Sequence, residues 1–108
     1  MPMYLVRGKY TAESAQGLRK AGAAHRVEAI RQMFESVGGT LVSDPCWSAT
    51  DLSAVGIVEL PSEAAAAAVL STALASGTQV SVQVERLVTA AELVAALGVN
   101  VQYRPPGQ

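Results

Sequence analysis

"DLSAVGIVELPSEAAAAAVL", residues 51–70, decides how the chain folds. Laid out as a strand, its first half is apolar on both sides: Leu52, Ala54, Val58 and Leu60 share one face, Val55 and Ile57 the other. A strand with no wet face belongs in the middle of a sheet whose two surfaces are both covered. Pro61 ends it, Ser62 is placed to cap a helix, and Glu63 sits beside the positive helix end. Ala66, Val69, Leu70, Ala73 and Leu74 then recur at helical spacing as a stripe to be buried, and Gly77 closes the helix. The stretch reads as a central strand running into a packing helix.

Upstream, residues 3–10 alternate, with Met3, Leu5, Arg7 and Lys9 on one face and Tyr4, Val6, Gly8 and Tyr10 on the other, the pattern of a first strand. Residues 11–24 are alanine-rich but carry Gly17 and Gly22, and read as a mobile connection with room for one helical turn. From Ala24 a helix is predicted, with Val27, Ile30, Phe34 and Val37 as its apolar stripe, Arg26, Glu28, Arg31 and Glu35 on other faces, and Gly38-Gly39 as its stop. "TLVSDPCWS", residues 40–48, reads as a second strand; Pro45 has no N–H to give to a ladder, which suits an edge or a bulge. Downstream, Val80, Val82 and Val84 alternate with Gln79, Ser81, Gln83 and Glu85, a fourth strand with one buried and one wet face. Thr89 caps a short helix to Leu97, and Val99, Val101 and Tyr103 suggest a brief extra strand before Pro105 and Pro106.

The order strand, helix, strand, strand, helix, strand is the split βαβ arrangement called ferredoxin-like: an α+β domain over residues 1–97, followed by a tail over 98–108. Both helices are expected on one face of an antiparallel sheet, with the first and third strands central. The helix-free face then exposes apolar side chains, and a second subunit is the natural cover, giving a dimeric α+β barrel of two sheets face to face.

Composition agrees with assembly. Charged residues are 16% of the chain against roughly 25% in an average soluble protein, while hydrophobic residues reach 50%. A net charge of -1 supplies no basic field for phosphates, so nucleic acid is not an expected partner. Cys46 stands alone, so no internal disulfide forms, which fits a reducing compartment. "MPMYLVRGKY" alternates like a strand rather than a leader, and no apolar run approaches the roughly 18 residues of a membrane span. A cytoplasmic protein without a membrane partner is expected. One His and one Cys make a metal site within one chain unexpected, and with no glycine-rich phosphate loop no cofactor is expected either.

"MYLVRGKYT", "HRVEAIRQMFESVGGTLVS", "CWSATDLSAVGIVELPSEAAAAAVL" and "VSVQVERLVTAAEL" together resemble the GYD-domain family, small proteins of the dimeric α+β barrel group, over roughly residues 3–95. Arg26, Glu28 and Arg31 ahead of Gly38-Gly39, Trp47 shortly after, and Val58-Glu59-Leu60-Pro61 carry the likeness. The family's Gly-Tyr-Asp tripeptide falls at Ala49-Thr50-Asp51, where only the aspartate is kept. The resemblance implies a fold and a homodimer. In related barrel families the cavity between sheet and helices runs cofactor-free oxygenation or isomerisation, so a small, partly apolar organic ligand is the expected guest.

Among individual residues, His25 is the only imidazole and a candidate general base, the plainer alternative being a solvated side chain in the first turn of its helix. Arg7, on a central strand, is a candidate anion holder or one half of an inter-subunit ion pair with Glu59 or Glu85. Tyr10 and Trp47 are candidate pocket walls, although a tryptophan also serves as a core or interface anchor. Asp51 would orient a ligand or simply cap its own turn. Cys46 has no local cation to lower its pKa and a nearby Asp44 to oppose thiolate formation, so it is not expected to act as a nucleophile. Whether the chain is an enzyme stays open at this level; a non-catalytic assembly module, using the bare sheet face and the tail, is the alternative. A closed cavity of at least about 300 Å³ with converging polar groups separates the two.

Overall fold

The computed structural model describes Met1–Gln108 throughout. β4 (Ala54–Glu59) lies where its two apolar faces require, hydrogen-bonded to β1 (Met3–Tyr10) on one edge and to two short pieces, β2 (Thr40–Leu41) and β3 (Cys46–Trp47), on the other. β1 in turn pairs with β5 (Gln79–Leu87), so the order is β2-β4-β1-β5 with β3 beside β4, antiparallel throughout. Four helices, α1 (Ala12–Ala21), α2 (Ala23–Glu35), α3 (Glu63–Ala75) and α4 (Ala90–Leu97), complete an α+β architecture consistent with the ferredoxin-like fold.

Register assigns the faces. Tyr4 opposite Val58, Val6 opposite Gly56 and Val84, and Gly8 opposite Ala54 and Val82 form one surface. Ile30 and Phe34 of α2 and Ala66 and Val69 of α3 pack on that surface with Tyr4, Leu41, Val58 and Leu60 to make the core. Of the alanine run only Ala66 is buried against the sheet, with Val69, and Ser62 caps α3 by accepting from the Ala65 N–H at 3.1 Å. Leu5, Arg7, Val55 and Ile57 fall on the other surface, which no helix covers.

Several expectations need correction. Residues 12–21 form a ten-residue helix rather than a mobile connection: Thr11 caps it by accepting from the Ser14 N–H, Glu13 sits in its first turn, and Arg19 and Lys20 sit in its last. These end effects outweigh the roughly 1 kcal/mol that Gly17 costs inside a helix. The second strand is broken into β2 and β3 around Pro45, although Val42 still donates to the Ile57 carbonyl at 2.9 Å. Leu52 lies outside β4 with φ 61, turned away from the stripe it was expected to join, and Leu74 of α3 is 47% exposed. Val99, Val101 and Tyr103 make no strand, for they find no ladder to bond.

Every residue from Val88 to Gln108 is exposed, and α4 buries nothing. This arm contributes to a radius of gyration of 16.7 Å, against about 13 Å for a rounded domain of this length. No helix is long and apolar enough to cross a membrane.

Gly39 joins α2 to β2 where chain segments nearly touch: a Cβ there would lie 2.7 Å from Leu60 Cδ2 and 3.0 Å from the carbonyl oxygens of Glu59 and Phe34. Gly39→Ala is therefore expected to cost roughly 1–3 kcal/mol, read as a lower urea midpoint with unchanged slope. Gly17→Ala, where a Cβ meets nothing, is expected to stabilise by about 0.5–1 kcal/mol in the same assay.

Candidate functional site

At the end of β1 the pairing with β5 slips by one residue: Lys9 faces Ser81, whereas Tyr10 faces Gln79. Val80 is the extra residue of this bulge and is pushed into solvent at 62% exposure, while Gln79 turns in beside Val82. Its side chain lies across Gly8, where a Cβ would come within 2.8 Å of Gln79 Oε1. That oxygen is buried and has no hydrogen-bond partner.

Gln79 borders a cleft of about 270 Å³ between the sheet and helices α2 and α3. Ile30, Phe34, Leu41 and Val69 give it an apolar interior. Its polar groups gather at one end, because the end of β1 (Tyr10), the first turn of α2 (Arg26), the last turn of α3, and Thr78 and Gln79 at the start of β5 meet there. Ser76 and Thr78 share a 2.7 Å hydroxyl contact on this rim, and the Thr11 N–H donates to the Thr78 carbonyl at 3.2 Å. Arg26 Nε is buried without a partner, and none of the four ion pairs in the chain includes Arg26. Tyr10, Arg26 and Thr78 also border a second hollow of about 230 Å³ against α1.

The residues singled out from sequence fall into separate groups. Tyr10 borders both cavities, and the exposed His25 lines the second hollow but not the cleft. Arg7 lies on the opposite surface of the sheet, 3.8 Å from Asp51, so the sheet separates it from His25. Trp47 packs against the core without lining the cleft, and its indole Nε1 is buried without a partner. Cys46 is exposed.

Arg26 and Gln79 were missed. Arg26 precedes Ile30 by four residues, so it stands on the core-facing stripe of α2 rather than on another face, a signal its charge concealed. For Gln79 nothing in the alternation of 79–85 announces a bulge.

The corner containing Asp51 is held by its own hydrogen bonds. The N–H groups of Thr50 and Asp51 donate to Ser48 Oγ, Ser53 N–H donates to Asp51 Oδ1 at 3.0 Å, and Leu52 N–H donates to the Ser48 carbonyl at 2.9 Å. The Ser53 N–H above all, with a smaller share from the Arg7 charge, holds the Asp51 carboxyl below its ordinary value of 3.8. A carboxylate with a depressed folded pKa adds stability that is present above the unfolded value and lost as pH falls through the folded one. Asp51→Asn is thus expected to be less stable than the native chain at pH 7, with the gap narrowing below about pH 3.8, as urea unfolding at pH 7 and pH 3 would measure. Arg7→Gln should reproduce only a small part of that gap.

The GYD domain family model matches residues 4–97, from β1 to the last residue of α4. No curated protein and no solved structure matches the chain.

Proposed function

The chain belongs to the GYD-domain family, and we propose that it binds a small, partly apolar organic molecule in the cleft between its sheet and helices, as a homo-oligomer. The observation that carries this reading is the cleft's division into an apolar interior and one polar end with Tyr10, Arg26 and Gln79. A volume of about 270 Å³, near the lower limit of roughly 300 Å³ for drug-sized guests, restricts the guest to about one ring or a short chain. The cleft is a groove open to solvent and falls short of a closed cavity of at least about 300 Å³, so its one polar end, rather than its enclosure, supports the reading.

Cofactor-free oxygenation and proton-transfer isomerisation both call for a base that takes a proton from the substrate. The group available for that step is His25, in the hollow that shares Tyr10 and Arg26 with the cleft. Catalysis would thus ask a guest to reach past Tyr10 and Arg26, whereas binding asks only for the cleft.

Assembly is favoured by a different observation. Only 11 of the 108 residues are buried in the single chain, and Val94, Leu97, Val99, Val101 and Tyr103 are each 64–77% exposed. The bare sheet surface and the 88–108 arm are the two places where a second copy would add to the core.

Two measurements test these readings. Native mass spectrometry of the protein from its own host is expected to reveal a small-molecule adduct that leaves on denaturation and is lost in Ala73→Trp, which fills the cleft; without such an adduct, assembly alone is the function to pursue. Light scattering is expected to give a multiple of 11.2 kDa, falling to the single-chain mass in Ile57→Glu or Leu97→Asp. A monomeric native chain would end the assembly reading.

A further inference from the structure

We propose that the guest of the cleft is a small carboxylate with an apolar body, its charged end held by Arg26 and its body resting against Ile30, Phe34 and Val69. This rests on the reading of the cleft as a binding site. Three observations carry it beyond that reading.

Arg26 brings a planar guanidinium with five N–H donors and no acceptor. Its Nε is shut off from solvent and bonded to nothing, and no carboxylate lines the cleft or the adjoining hollow. Two other arginines are paired: Arg31 on the same helix meets both Glu28 and Asp44, and Arg86 meets Glu92. A partly buried guanidinium without a counter-ion is costly, and an anion brought by the ligand to the part of Arg26 that lines the cleft is the partner that offsets the cost.

A planar fork of N–H donors matches a carboxylate in two parallel bonds. A phosphate group would ask for more, and the cleft offers no second cation and no glycine-rich loop. Beside Arg26, the Tyr10 hydroxyl and the Gln79 amide add neutral hydrogen-bonding groups. Beyond them the wall is apolar, so the rest of the ligand is hydrocarbon.

Benzoate and its neutral isostere benzamide distinguish the charge from the ring, and inorganic phosphate distinguishes a carboxylate from any oxyanion. Titrated into the ¹⁵N-labelled full chain, benzoate is expected to bind about 10- to 100-fold more tightly than benzamide, the worth of a hydrogen bond to a charged group. Arg26→Gln should remove that advantage and leave benzamide binding unchanged, and Ala73→Trp should weaken both. Arg26→Lys, which keeps charge but not the fork, should retain only part of the preference and serves if the glutamine variant does not fold. Equal binding of benzoate and benzamide, or benzoate binding untouched by Arg26→Gln, would overturn the carboxylate assignment and leave the cleft as a site for neutral guests. Phosphate competing as well as benzoate would overturn the need for an apolar body. Binding of neither organic probe would overturn this inference and the ligand-binding reading together.

Discussion

The pairing of β1 with β4, unbroken from Met3–Glu59 to Gly8–Ala54, is the constraint on which the rest depends. Strand alternation leaves no freedom once that register is set: even-numbered residues of β1 face the helices and odd-numbered ones face away. Tyr4 is thereby committed to the core, and Tyr10 to the cleft, while Arg7 is committed to the bare surface. A one-residue slip would exchange these sets and bury Arg7 and Lys9 beneath α2 and α3. The two fully buried aliphatics Val58 and Leu60 oppose such a slip, because each would give up roughly 1.5–3 kcal/mol of burial on being turned out.

The same register explains how far the sequence could be read. Strands β1, β4 and β5 and helices α2 and α3 are visible because their periodicity and their burial agree, as with Ile30 and Phe34 or Ala66 and Val69. What escapes is local compensation. Helix α1 has two glycines in or beside it and buries no residue, so Thr11 and the end charges are what speak for it. At Val80 one inserted residue reverses a perfect alternation, and side-chain pattern carries no record of backbone slippage. The site suffers most from this. Of its polar end, Tyr10 was legible, Arg26 stood in plain view as a surface charge, and Gln79 was assigned to the wet face of its strand.

Charge placement separates scaffolding from the candidate site. The four ion pairs, Arg7 with Asp51, Arg31 with Glu28 and with Asp44, and Arg86 with Glu92, lie at partly exposed positions and join neighbouring elements. Each contributes little to stability in water, but they fix corners: Arg31 ties α2 to the loop around Pro45, and Arg86 ties β5 to α4. Asp51 belongs to this class, because its strongest partner is the Ser53 N–H of its own turn. The aspartate retained at the family's Gly-Tyr-Asp position thus has a structural reason to be there. Arg26 has none, which is why it stands out.

Helix α4 poses the same question at the level of the fold. Eight residues are too few for a helix to hold by itself in water, since isolated helices need about 12–15 residues even with good sequences. Here Thr89 and Glu92 form a capping box, and Arg86 bonds both the Leu87 carbonyl and Glu92, so the first turn is well satisfied. The capping fixes where the helix starts and how it leaves β5, but it buries no apolar area, and Val94 and Leu97 remain 70% and 77% exposed. Cleft and arm are therefore separate parts of the molecule. The cleft is built from the helix-covered face within one chain, while the bare face and the arm take no part in it. Changes on the bare face or the arm therefore leave the walls of the cleft intact, provided the β1–β4 register stands.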